Sequence, residues 1–400
     1  MRRIYFFTVL VSLFIPLISF SQVRNVSGAL DSLARLHLLT TNGIGFYVGI
    51  VQPGEELIRY YGSSIPESSV EADTNSLFEI GPVSGTFTSI LFAEMTINGL
   101  IDYDSPLQKY LPFDVHSPVF QNIVCKPVKN SAASYGMSDD PSVKFTPYIC
   151  LPDTNSRPQP VLLCYLSTHT SGLPDRPYNI RGGKDGSSIY RNYSREDLYE
   201  FLDSYHLTEP ISYNYLHSDL GLAVLGHVLS LHSHTSFDSL MKSRILDRLG
   251  MSSTGFSYAY NDQRLSAGYD SRGNAMQLRS YDMFAPAGTL HSSIMDMMKF
   301  LLANTGKTPG VLKDVLDYTH NPRILLGNAE NSDSEIAMGW KLRPLGENGL
   351  KAVYQGGSTE AHSAFIGFEE TKKCGVVILS NSNVSAVETG LRILKILTKE

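Results

Sequence analysis

Ser84, His217 and Asp219 are the residue types of a nucleophile, its general base and the acid that orients the base. Such a set would perform acyl transfer, the serine attacking an ester or amide carbonyl once the imidazole removes its proton. His217 and Asp219 lie only two positions apart, a spacing that guarantees no hydrogen bond between them. His217, Asp219 and His362 are also metal-ligand types, but a metal there is the lesser reading, and neither a metal nor another cofactor is expected. Cys125, Cys150, Cys164 and Cys374 fit no zinc spacing; they allow three complete disulfide pairings, and spacing does not choose among them.

The elements that must position these groups are legible in part. Ser27 to Leu39 has the pattern of an amphipathic helix, and Gly45–Val51 and Leu57–Tyr61 alternate as two strands joined through Pro53-Gly54. Phe87 to Asn98 has helical periodicity and stops at Gly99. Strands return at Lys351–Tyr354, Ala364–Phe368 and Val376–Ser380, and a closing helix is expected over about 385–399. Strands at both ends around a mostly helical middle imply an α/β (α+β) fold, with one sheet completed by both termini and an inserted helical subdomain. Residues 113–160, rich in Ser, Pro, Asn and Asp, read as a surface excursion, with Cys125 and Cys150 placed to staple it.

Composition narrows the function classes. Of 400 residues, 42% are hydrophobic, enough for a substantial core, and the net charge of −6 without a long basic run argues against nucleic-acid binding. Arg2 and Arg3 precede an apolar run from Ile4 to Phe20, with small Ser19 and Ser21 at its exit. This is the pattern of a signal peptide of residues 1–21, cleaved before Gln22 to release a secreted or periplasmic protein of residues 22–400. No later stretch is apolar and long enough to span a bilayer. Trp340 and Met295, Met297 and Met298 read as core, Asp102 and Asp104 as turn and cap residues, and His169 as a brace for its loop.

A series of motifs in order resembles the serine β-lactamase and penicillin-binding-protein-like family, closest to its class C and esterase-like branch. They are Phe78-Glu-Ile-Gly81, Thr86-Phe-Thr88, Gly99-Leu-Ile-Asp102, Asp104-Ser-Pro-Leu-Gln-Lys-Tyr-Leu-Pro112, His169-Thr-Ser-Gly-Leu-Pro174, Gly221-Leu-Ala-Val-Leu-Gly226, Leu249-Gly-Met-Ser-Ser-Thr-Gly255, Pro286-Ala-Gly288 with Ser292 and Asp296, Gly339-Trp340 and Val377-Ile-Leu-Ser-Asn381. Together they cover almost the whole mature chain. The resemblance implies a β-lactamase fold, with a ligand cleft between sheet and helical subdomain, and serine acyl transfer as the ancestral reaction.

The residues that would carry that reaction are altered. Where the family reads Ser-Val-Ser-Lys, this chain reads Pro82-Val83-Ser84-Gly85, without the nucleophile and its lysine. Proline also removes a backbone N–H that the resemblance assigns to the oxyanion hole, worth about 3 kcal/mol of transition-state stabilisation. Losing nucleophile and base costs on the order of 10⁶ in rate. The Tyr-x-Asn motif becomes His217-Ser218-Asp219, with Tyr213 and Tyr215 nearby, and the Lys-Thr-Gly motif is matched to Tyr354-Gln355-Gly356. On a helix, residues two apart point about 200° from each other, so Ser84 should face away from position 82. The resemblance therefore implies a pocket lined by Pro82, Gly85, His217, Asp219, Tyr354 and Gly356, neutral or anionic unless His217 is protonated. The leading expectation is an exported relative that binds an unidentified small molecule or protein partner in this cleft. The alternative is a hydrolase or esterase rerouted through Ser84, His217 and Asp219.

Overall fold

The computed structural model describes residues 26–41, 45–62, 73–127, 148–181, 190–212, 214–258, 262–278, 283–308, 310, 312–326, 335–346 and 349–399. The proposed signal peptide lies outside them. No helix among the described residues is long and apolar enough to cross a membrane.

Both ends of the described chain meet in one eight-stranded antiparallel sheet. Its order is Ile324–Leu325, Glu335–Ile336, Lys341–Pro344, Lys351–Ser358, Ser363–Glu369, Cys374–Ser380, Gly45–Gln52 and Glu55–Gly62. The N-terminal hairpin docks on the C-terminal strand with Phe46 opposite Ser380 and Val51 opposite Gly375. Alternation along Gly45–Gln52 sends Tyr47 and Val51 into one core and Phe46, Val48 and Ile50 into the other. The second core is covered by the helices Val26–Thr41 and Val387–Thr398, whose Leu30, Ala34, Leu391 and Leu394 are buried. The opposite face packs on the helices Val83–Ile97 and Ile294–Asn304 and continues into the helical subdomain. Each fully buried Phe on these faces contributes roughly 2–3 kcal/mol through the apolar surface removed from water.

The Val83 helix begins four residues earlier than its periodicity predicts, because it is buried on every side from Val83 to Met95 and so has no polar face to reveal its start. It ends as expected, Gly99 adopting φ +68°. Its Glu94 reaches Arg244 at 2.9 Å and Arg248 at 3.1 Å across the subdomain. Of the three methionines expected in the core, Met297 and Met298 are buried, but Met295 is 41% exposed because it falls on the outer face of its helix. Trp340 is buried.

The described part of the 113–160 excursion contains a hairpin of Ile123–Pro127 and Tyr148–Pro152. Cys125 and Cys150 face each other across it and form a disulfide, whereas Cys164 and Cys374 are buried thiols. Residues 128–147, the tip of the excursion, lie outside the described residues.

Candidate functional site

Pro82 caps the Val83 helix with φ −57° and ψ −19°, the fixed φ of its ring already helical. The next three backbone N–H groups all turn inward. Val83 donates to the Ile80 carbonyl at 3.1 Å, Ser84 to Gly81 at 2.8 Å and Gly85 to Pro82 at 3.1 Å. Pro82 itself has no N–H to offer. The helix start thus presents none of these donors to a developing oxyanion. The pyrrolidine ring lies against the Lys351–Ser358 strand so closely that a Cβ at Gly357 would sit 2.7 Å from Pro82 Cγ.

One turn into the helix, the place a lysine would need is filled. A Cβ on Gly85 would lie 2.5 Å from Leu222 Cδ1, so the glycine admits an apolar side chain from the Asp219–Ser233 helix. Ser84 is buried, and its Oγ accepts a hydrogen bond from the Leu290 N–H at 3.1 Å. That bond directs the hydroxyl into the core.

His217 and Asp219 do pair. His217 Nε2 lies 3.2 Å from Asp219 Oδ1 and 3.9 Å from Asp175 Oδ1. The pairing follows from helix geometry: Ser218 is the N-cap, its Oγ accepting from Gly221 N–H, and Asp219 opens the first turn beside the preceding His217. Behind them His169, buried at φ +56°, accepts from the Ser218 N–H through Nδ1 at 3.1 Å and packs its ring 4.7 Å from that of His217. His169 is the brace expected from its motif. Burial works to lower the His217 pKa, but the hydrogen-bonded Asp219 carboxylate and nearby Asp175 outweigh it and raise the value above 6.5. Burial, with the neighbouring His217 adding to it, drives His169 well below 6.5.

The three proposed triad members therefore divide. His217 and Asp219 form a base and orienter, while Ser84 is committed to Leu290 on the buried side of its helix. His362 does not join them: it is fully buried, with Nδ1 3.6 Å from Glu79 Oε2. Asp175, directly after the His169–Pro174 motif, is the third ligand-type group beside His217 and Asp219. Of the tyrosines flanking the motif, Tyr215 packs edge-on against His169 and lies under Lys341 Nζ at 5.8 Å, and Tyr213 falls outside the described residues.

Tyr354 and Gly356 do not face the cleft. Tyr354 stacks on Phe365 at 5.9 Å in the core under the terminal helices, and a Cβ on Gly356 would point at Val387 and Phe365 on that same face. The strand's pleat places the cleft-side positions one residue later, at Gln355 and Gly357. Gln355 Nε2 donates to the Gly339 carbonyl at 3.3 Å. A motif matched on its glycine alone has no defence against this shift, because the strand carries Gly356 and Gly357 in succession. Leu222, Asp175, Gln355 and Gly357 were not identified from sequence. Period-two alternation back from Gly357 could have found Gln355; nothing local marks Leu222.

The far wall is the Ser358–His362 turn. Thr359 Oγ1 donates to the buried Glu79 carboxylate at 2.6 Å, holding this turn beside Gly81 at the helix start. Glu360 follows, its pKa raised by burial and by the charges of Glu79 and Asp219 against the opposing pull of Arg176. The cleft thus holds three carboxylates (Asp175, Asp219 and Glu360) against Arg176, Lys341 and a titrating His217.

The eight-stranded sheet and its helices have the fold of class C β-lactamases. The Beta-lactamase family model matches residues 32–398. This chain belongs to the β-lactamase family. It is 22% identical to a β-lactamase of Psychrobacter immobilis over 377 residues, 86% of this chain and 80% of the relative. It is 21% identical to a D-alanyl-D-alanine carboxypeptidase/endopeptidase of Escherichia coli over 213 residues, 53% of this chain and 45% of the relative. Among solved structures, a class C β-lactamase superposes with a TM-score of 0.72 at 18% identity, covering 94% of this chain and 97% of the other. A β-lactamase/D-alanine carboxypeptidase from Yersinia pestis does so with the same score and identity, covering 94% and 99%.

Proposed function

We propose that this protein is an exported β-lactamase relative that no longer performs serine acyl transfer and uses the inherited cleft to bind a ligand or partner. One observation carries the reading: Pro82 occupies the helix start, its ring against Gly357, with the following N–H groups bonded inward and Leu222 beside Gly85. Nucleophile, cation and one oxyanion donor are missing at once, and apolar atoms fill the lysine's place. Export rests on Arg2, Arg3 and the apolar run from Ile4 to Phe20.

The rerouted hydrolase has one observation in its favour, the 3.2 Å His217–Asp219 pair. Its proposed nucleophile is withdrawn from the cleft, since Ser84 is buried and its Oγ accepts from the Leu290 N–H. Incubation with a fluorophosphonate, a chromogenic ester and a chromogenic cephalosporin, followed by intact-mass measurement, tests the proposal. No adduct and no turnover above buffer are expected. A stoichiometric covalent adduct would overturn the reading, and loss of that adduct in Ser84→Ala would install the rerouted hydrolase instead.

A further inference from the structure

We infer that Asp175, His217 and Asp219 form a binding site for one divalent transition-metal ion at the mouth of the cleft. The inference goes beyond the proposed function and stands whether or not the cleft acylates.

One ligand atom from each of the three residues lies within 4.8 Å of the others. Metal–oxygen and metal–nitrogen bonds of about 2.1 Å place neighbouring ligands roughly 3.0–3.4 Å apart in octahedral or tetrahedral geometry. His217 Nε2 stands 3.2 Å from one carboxylate oxygen and 3.9 Å from the other, so the donors already approach the edges of a coordination polyhedron. The most widely separated pair lies within 4.8 Å, so the donors must draw closer to share one ion.

The donors are held from behind. The Asp219 N–H donates to Asp175 Oδ1 at 3.2 Å, tying the loop carboxylate to the helix start. The His217 ring rests against buried His169, which is fixed by the Ser218 N–H. These contacts limit how far the Asp175 carboxylate and the His217 ring can move from each other. A second observation comes from the sequence. Where the family motif begins with Tyr, this chain carries the imidazole of His217, and the Ser-Asp continuation that also occurs among family members adds the Asp219 carboxylate.

An imidazole nitrogen with two carboxylate oxygens suits borderline ions such as Zn²⁺, Co²⁺ or Mn²⁺ rather than Ca²⁺, which takes six to eight oxygen ligands. The side chains of Asp175 and His217 are 42% and 44% exposed, leaving room for water or an oxygen donor from a cleft ligand. Opposing charges are also present. Arg176 Nε lies 3.5 Å from Asp175 Oδ2, Lys341 acts on His217, and the N-terminus of the Asp219 helix disfavours a cation, while Glu360 adds a further anion. Occupancy therefore depends on the full donor set, and removing one ligand has a large effect.

Tag-free protein stripped with a chelator and titrated calorimetrically with Zn²⁺ provides the test, with Co²⁺ absorption as a second readout. One ion per chain is expected. His217→Ala, Asp219→Asn and Asp175→Asn should each weaken uptake at least about tenfold, with circular dichroism confirming that each variant is folded. His116→Ala, which breaks a surface His–Asp pair elsewhere, should leave uptake unchanged. Absence of saturable uptake, or uptake unaltered in folded His217→Ala and Asp219→Asn, would overturn the site.

Discussion

A side chain at position 85 has to contend with Leu222. Gly85→Ala would place its Cβ within 2.5 Å of Leu222 Cδ1. We expect the overpacking to lower stability by about 1–2 kcal/mol net, after the roughly 1 kcal/mol that alanine gains over glycine in a helix. In a Leu222→Ala background the same substitution should become neutral or stabilising. A double-mutant cycle in urea checks this, and additive effects would mean that Leu222 does not fill that space. The same geometry bears on restoring chemistry. Pro82→Ser combined with Gly85→Lys is expected to yield no acyl-enzyme unless Leu222 is also shortened, as intact mass after penicillin treatment would reveal.

The Val83 helix is held by more than its apolar sides. Glu94 is buried to 4% side-chain exposure between Arg244 and Arg248. Removing the carboxylate that Arg244 and Arg248 share takes a buried ion pair from the helix, and Glu94→Ala should cost about 3 kcal/mol in urea unfolding. A cost below about 1 kcal/mol would show that solvent replaces the pair. The excursion hairpin should behave in the opposite way. Ile123 and Leu151 are each 61% exposed, so the Cys125–Cys150 bridge constrains an outlying element rather than the core. Reduction should increase proteolysis within residues 113–160 while shifting global unfolding by less than about 1 kcal/mol. These elements differ in how far sequence revealed them. The N-terminal hairpin was legible from its alternation, the C-terminal strands from short apolar runs, and the closing helix from its helical spacing. The start of the Val83 helix was not, because burial on every side erases the periodic signal.

For the whole molecule, the buried imidazoles set the response to acid. His37 and His227 are pushed down from 6.5 to about 4 by burial, and His169 and His291 are also lowered by it. Between about pH 6.5 and 4 the unfolded chain therefore binds protons that the folded chain refuses, so stability falls as pH drops through that window. Each strongly lowered histidine contributes on the order of 1–3 kcal/mol to the loss. His217 has the reverse sign: its raised pKa gives stability that is full below pH 6.5 and is lost as pH rises through the raised value. That effect is small because the side chain is 44% exposed. Urea midpoints measured from about pH 7 to 4.5 should decline steadily, and His37→Gln should flatten the slope. An unchanged slope would show that His37 takes up its proton in the folded state.

Some of this protein was settled by residue order alone. An alternating hairpin at one end and short apolar runs at the other, with Gly99 closing its helix, point to a sheet shared by the termini, and Pro82-Val83-Ser84-Gly85 states the loss of an alcohol and an amine without any coordinates. What needed three dimensions was direction. A strand's two faces look alike in a run such as Tyr354-Gln355-Gly356-Gly357, and only packing against Phe365 on one side and Pro82 on the other decides which residues line the cleft. The meeting of Gly85 with Leu222, and of Asp175 with His217, joins segments separated by scores of residues or more, where no local pattern operates. Close packing in the folded chain brings them together, because each element can bury its apolar side only against partners supplied from elsewhere in the molecule.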